Sequence, residues 1–286
     1  MNLVSSLREL WSYRRLVKQL AVRDLKARYK VSVLGFFWSL LRPLLTIAVL
    51  AVVFSSLLDL QSGSYDVPYY ILLLVTYMPW FYFSTALLEG VHSLLSNANL
   101  IQKVYSPRTV FPAAVVSANL VNFLFSLVVV IPIIYLLSGA HLSWTILHLP
   151  FVIAVHTAFL FGLCLMTSVL NVLYRDTTQI MEFLVFVWFY LSPVLYDVSE
   201  VFKKVPDPLQ FSLFFLNPMA GILEWYRYAI LSSNMRLTAN APVDLEIQRS
   251  IVFSAGIPFA ILASIVVFIV GFKMHKKLET RAVDAL

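Results

Sequence analysis

A single cysteine in 286 residues, Cys164, rules out an intramolecular disulfide and a thiolate metal site. It lies inside an apolar run, where packing is its expected role. None of the eight glycines precedes a lysine, so G-x-x-x-x-G-K-[ST] is absent and the chain does not bind nucleotide through a P-loop. The five histidines, His92, His141, His148, His156 and His275, are scattered without H-E-x-x-H or another ligand spacing, and G-x-S-x-G does not occur. These absences argue against metal-dependent and serine hydrolases. Charge is scarce, at 13% of residues. The first thirty residues are too charged to supply the apolar core of a cleavable signal, so insertion is expected through the first long apolar run. Without repeats, low-complexity tracts or long linkers, one membrane domain is the natural count.

What is present is apolar: 60% hydrophobic and 15% aromatic residues, with a mean hydropathy of +0.83. A water-soluble domain of this size could not hide so much apolar surface. The composition predicts an all-α membrane protein. Runs long enough for a bilayer core cover 34–58, 67–88, 113–137, 149–173 and 251–272, with a shorter sixth at 180–196. A weakly apolar stretch at 209–231 carries Asn217-Pro218, Glu224 and Arg227. It reads as part of a re-entrant region, 197–235, tolerated at membrane depth only where protein or water shields its backbone.

Charge sets the expected orientation. Residues 1–33 hold eight Lys/Arg against Glu9 and Asp24, whereas the first loop has Asp59 and Asp66 and no base. The amino terminus is therefore expected in the cytoplasm, and six spans return the tail, 273–286, to the same side. The loop 93–112, with Lys103 and Arg108, falls there too. A basic rim facing anionic lipid accounts for the net charge of +6 without nucleic acid. Within residues 1–33, Leu3, Leu7, Leu10, Trp11, Val17 and Ala21 recur at helical steps, which describes an amphipathic helix on the membrane surface. Arg14 interrupts the apolar face and is able to snorkel.

The loop between the second and third runs is a polar island. Asn97 or Asn99 has the chemistry to cap a short helix, Leu100, Ile101 and Val104 offer an apolar face, Lys103 and Arg108 supply polar anchors on either side of Tyr105, and Pro107 stops the helix. An ordinary membrane-surface turn is the alternative.

Four segments taken together carry a resemblance. They are Val22 to Tyr29 with the run from Leu34 to Pro43; Asn97 to Arg108 with Pro112; Tyr174, Arg175 and Asp176; and Ser192-Pro193 with Asn217-Pro218 and Tyr226-Arg227. In this order the chain resembles the membrane subunit of an ABC-2 type exporter, of the group moving lipid-linked polysaccharides such as O-antigen or teichoic acid. The family pattern has an aromatic where Ser106 stands. The resemblance implies that the polar island is a coupling helix seated on a separate cytosolic ATPase. It further implies two ATPase copies, a second copy of this chain, ATP and Mg bound by the partner rather than here, an undecaprenyl-linked polymer as cargo, and a bacterial cytoplasmic membrane as location.

Several residues invite a role on that reading. Arg42, about 12 Å into the first span at 1.5 Å per residue, contacts a phosphate of the substrate, snorkels to the inner surface or pairs with Glu89. Trp38, Tyr70, Trp80, Phe81, Tyr82, Trp188 and Tyr190 either line a sugar passage or pack helices. Arg175 and Asp176 form a short turn, with Asp176 near the start of the fifth span where the helix dipole favours its charge. Ser192, Pro193, Asn217 and Pro218 shape the outer gate, and Glu224 and Arg227, three residues apart, pair on one helix face. A permease for another glycolipid or a drug, a secondary transporter and a polyprenyl-phosphate enzyme are the rival readings. Neither midspan carboxylates nor clustered acids support the last two.

Overall fold

The computed structural model describes residues 3–29, 37–57, 67–103, 106–138, 143–198, 201, 204, 214–232 and 250–284. Every regular element among them is helical. The helices are α1 (Leu3–Ser12), α2 (Arg14–Tyr29), α3 (Trp38–Ala51, continued by a π-turn Val52–Leu57), α4 (Tyr69–His92), α5 (Ala98–Lys103), α6 (Val110–Ser138), α7 (Leu149–Leu173), α8 (Thr177–Leu191), α9 (Pro218–Leu231) and α10 (Ile257–Asp284).

Five helical stretches are long and apolar enough to cross a membrane: Trp38–Ser55, Tyr69–His92, Val110–Ser138, Trp144–Leu173 and Val252–Ala282. The expected run at 180–196 is cut short. α8 ends at Leu191 because Ser192, which precedes Pro193, is driven to extended backbone (φ −101°, ψ 147°). Its 15 residues reach about 22 Å, less than the ~30 Å of a hydrocarbon core. The residues from 273 on, expected as a tail, continue the same helix, α10, as far as Asp284.

α4 is the hub. Ile71, Leu72, Leu73, Phe83, Ala86 and Leu87 are fully buried on it, and α3, α6, α7, α8 and α9 pack around it. The hydrophobic sequence of α4 is nearly uniform around the helix, as a helix surrounded by protein requires. α7 and α10 form the tightest pair. A Cβ on Gly271 would stand 2.3 Å from the carbonyl oxygen of Gly162, and one on Gly162 would stand 2.6 Å from that of Val267. Small residues let the two backbones touch, which drives association where lipid supplies no hydrophobic gain. Gly271→Leu is expected to separate this pair and lower the thermal midpoint of the detergent-purified protein by several degrees. A midpoint equal to that of the parent would show that the contact is dispensable.

The amino-terminal segment folds as two helices hinged at Tyr13 rather than one. α2 lies against α6, burying Leu20 and Ala21, while Trp11 projects outward at 69% exposure beneath the Arg14 guanidinium, 5.4 Å from its ring centroid. Together with α5 and the carboxyl end of α10, this segment makes one end of the bundle basic. α9 lies toward the opposite, far end.

Candidate functional site

At the basic end, the polar island folds as a 3₁₀ turn, Leu95–Asn97, followed by the six-residue α5. Asn97 does not cap α5 through its backbone amides. Its side chain donates to Ser93 O at 2.8 Å and accepts from Arg23 Nη2 at 2.9 Å, which ties the island to α2. Ile101 turns inward against Leu20, Leu94, Val110 and Phe111, so it is not on the free face. Asn99, Leu100 and Lys103 remain exposed. Val104 and Tyr105 lie outside the described residues. Pro107 is buried beyond α5 and its carbonyl accepts from Val110 N at 3.1 Å, so it opens the turn into α6.

Arg108 is held inside the chain. Its guanidinium stands 3.7 Å from Glu279 and its amide donates to the same carboxylate at 3.4 Å. Glu279 also takes Lys276 at 3.2 Å, and Lys276 reaches Glu9 of α1 at 3.1 Å. This chain of charges links the root of the island, the end of α10 and the surface helix, across 171 and 267 residues of sequence. Sequence spacing gives no signal for such a link.

A second polar group sits between α2, α3, α4 and α6. Glu89 pairs with Arg28 and accepts from Asn119 Nδ2 at 2.6 Å, while Arg28 also donates to Asn119 Oδ1 at 3.1 Å. The expected Glu89–Arg42 pair is therefore not formed, because Arg28 of α2 reaches the carboxylate first. Arg42 lines a cavity of about 220 Å³ together with Arg28, Glu89, Asn119, Asn122 and Ser126. Trp38, Phe81, Tyr82 and Phe123 form its apolar wall. Asn122 Oδ1 is buried there without a hydrogen-bond partner.

The aromatic candidates separate by environment. Trp80 is buried, packing on Phe83 at 5.3 Å and Phe189 at 5.6 Å, so it holds helices together. Tyr82 stacks on Phe123 at 4.8 Å and bonds Thr157 at 3.2 Å, presenting only part of its ring to the cavity. Trp188 donates to Asn217 Oδ1 at 2.7 Å. Tyr70 and Tyr190 are exposed on the outer surface. At the turn between α7 and α8, Arg175 and Asp176 are exposed, and Asp176 occupies the cap position without a capping hydrogen bond; Thr177 Oγ1 instead donates to Tyr174 O at 2.7 Å.

Toward the far end the remaining candidates converge. Asn217 accepts from Met219 N at 3.1 Å, capping α9 with Pro218 in the first turn. The same side chain donates to Ser192 Oγ at 2.9 Å and Leu191 O at 3.2 Å, stapling the end of α8 to the start of α9. Fully buried Arg227 pairs with Glu224 and lies 3.8 Å from Asp197, a third member that the sequence reading missed. Its other nitrogen donates to Pro193 O at 2.5 Å and Tyr196 O at 2.8 Å. Thr76 donates to Val194 O at 2.8 Å and Tyr69 to Leu195 O. All four carbonyls from 193 to 196 are thus satisfied by side chains, the condition for non-helical backbone away from water. Among the described residues, no three His, Cys, Asp or Glu side chains converge as a metal site would need.

Known proteins are similar to this chain over most of its length. The chain is similar to the O-antigen export system permease protein RfbA of Myxococcus xanthus, 32% identical over 228 residues that cover 79% of this chain and 84% of that one. It is similar to a protein of the same name from Klebsiella pneumoniae, 28% identical over 266 residues and 92% of each chain. The family model described as ABC-2 type transporter matches residues 15–231, a stretch that takes in the polar island, the Arg42 cavity and the Arg227 cluster. With five apolar helices long enough to cross a membrane and most of its length inside that match, this chain is a multi-pass membrane protein and belongs to the ABC-2 type transporter family.

Proposed function

We propose that this chain is the membrane subunit of an ATP-driven exporter that moves a lipid-linked polysaccharide of the O-antigen type across the cytoplasmic membrane. The basic end faces the cytoplasm, α8 serves as a short sixth span, and the region around α9 is re-entrant at the outer side. Two copies of the chain work with two copies of a cytosolic ATPase, which binds ATP and Mg and docks on the exposed Asn99, Leu100 and Lys103 face of α5.

The observation that carries the reading is the cavity beside Arg42. Two guanidinium groups, the Glu89 carboxylate paired with one of them, five amide or hydroxyl side chains (Ser39, Thr85, Asn119, Asn122 and Ser126) and a wall of aromatic rings meet there. Guanidinium binds phosphate oxygens in a fork, amides and hydroxyls match sugar hydroxyls, and ring faces receive sugar C–H surfaces. A space of about 220 Å³ suits a phosphorylated sugar headgroup rather than a polymer. The polymer itself follows through a passage between the two copies. Glu89 keeps Arg28 in place, which leaves Arg42 as the cation that meets the phosphate.

Arg42→Ala, expressed with the ATPase, is expected to reduce surface polysaccharide while lipid-linked material accumulates inside the cell. A lost charge-assisted hydrogen bond of about 1.5–3 kcal/mol corresponds to a fall of roughly ten- to a hundredfold. Arg42→Lys should retain part of the export, since the charge remains and the fork is lost. Normal export by Arg42→Ala, at parental protein levels, would overturn the role of this cavity.

A further inference from the structure

A larger, open groove lies on another face of the bundle from the Arg42 cavity. α1, the start of α2, α6, α7 and α10 bound about 750 Å³ of space, and its lining is almost wholly apolar. Leu10 and Trp11 of α1 form one wall, and Phe161 and Phe268 form another. Between them the floor is shallow in side chains, because Ser117, Ala154 and Ala158 stand where larger residues would fill the furrow. The groove follows α7 from Pro150 to Phe161, about 16 Å at 1.5 Å per residue. That stretch is the half of α7 remote from the basic end, whereas on α6 the lining runs from Ala113 to Leu120, the half next to it, so the furrow leads from the basic surface past the middle of the bundle.

Its charge is equally specific. The lining holds one ionisable side chain, Arg14, and no carboxylate. Arg14 sits at the basic mouth of the groove, exposed, with its guanidinium over the Trp11 ring and one nitrogen donating to Trp11 O at 3.2 Å. Arg8, Arg15 and Lys18 are exposed on the same surface segment. A cation at the headgroup level at the mouth of an apolar furrow has the complementarity of a single anionic lipid: phosphate at Arg14, acyl chain along Ala113, Val116 and Ser117 toward Ala158.

We propose that this groove is a resident site for one anionic glycerophospholipid of the leaflet on the basic side, distinct from the substrate cavity. Bound there, the lipid ties the surface helix to α6 and α7. Anionic lipid content then sets how firmly that helix, joined to the end of α10 by Glu9 and Lys276, is held.

The full chain, in complex with its ATPase, is extracted from vesicles of equal parts phosphatidylcholine and phosphatidylglycerol, and the lipid it retains is counted by mass spectrometry. Phosphatidylglycerol is expected in preference to phosphatidylcholine. Arg14→Gln, a change at an exposed position, should lower that preference about fivefold, the loss expected of one cation near an anionic surface. Ser117→Leu with Ala158→Leu should displace both lipids by filling the furrow. An unchanged melting midpoint checks that this double variant is folded, and the Arg14→Gln comparison stands without it. Equal retention of the two lipids, or a preference untouched by Arg14→Gln, would overturn the proposal. So would displacement of phosphatidylglycerol by an equal amount of undecaprenyl phosphate, which would assign the groove to the substrate's own lipid.

Discussion

Arg227→Met is expected to yield a chain that inserts but does not hold its fold. The substitution deletes a guanidinium that serves four groups at once: the Glu224 and Asp197 carboxylates and the carbonyls of Pro193 and Tyr196. Both carboxylates are almost wholly buried, at 4% and 1% exposure. Removing one partner of a buried ion pair costs about 3–5 kcal/mol, because the other charge remains without compensation. Two orphaned carbonyls add to that, in a stretch whose backbone has no helical partners. The effect should appear as loss of the monodisperse peak in size-exclusion chromatography and a sharply lowered thermal midpoint. Glu224→Gln keeps both carbonyl bonds and leaves Arg227 opposite Asp197, so its loss should be much smaller. Equal stability of Arg227→Met and the parent would show that the cluster is not what holds residues 193–196 in place.

Leu100→Asp combined with Lys103→Glu should leave insertion intact and abolish coupling. Both side chains are exposed on α5 and neither belongs to a buried hydrophobic cluster, so the substitutions leave the packed core intact. At the centre of an interface, losing an anchor costs about 2 kcal/mol or more, roughly 30-fold in affinity. Reversing the charge adds repulsion. The double variant is expected to reach the membrane at parental levels, fail to co-purify with the ATPase and lose export. Full export by this variant would remove α5 from the coupling role. Buried Cys164 is silent to bulky thiol reagents, so Lys103→Cys gives a clean report of sidedness: labelling from the cytoplasmic face alone is expected. Arg108 predicts a different pattern. Arg108→Glu should act through the end of α10, and the swap Arg108→Glu with Glu279→Arg should restore what the single change loses, as a shared ion pair requires.

Much of the architecture was legible from residues 1 to 286 in order. Apolar runs marked the long helices, since a bilayer fixes the length of what crosses it. Ser192-Pro193 is the local break that ends α8 inside the apolar run 180–196, because a residue before proline avoids helical backbone. Asn217-Pro218 marked the start of α9, and Glu224 with Arg227 fell three residues apart on one face. Each of these is a local rule, decided within one turn of chain.

The partners across long separations were not legible. Arg28 lies 61 residues from Glu89 and takes it from Arg42, which changes Arg42 from a paired group into one that faces a cavity. Ile101 and Leu100 are neighbours in a short amphipathic segment, yet one is packed inside and the other is free. Trp80 and Phe81 are adjacent too, and only the second meets the cavity. By itself the sequence determined which segments are helical, which end is basic and where helices stop, because spacing, capping and hydrophobic length act locally. Only the tertiary structure decided which side chains meet, because the face each helix turns toward its neighbours is set by packing between segments that the sequence keeps far apart.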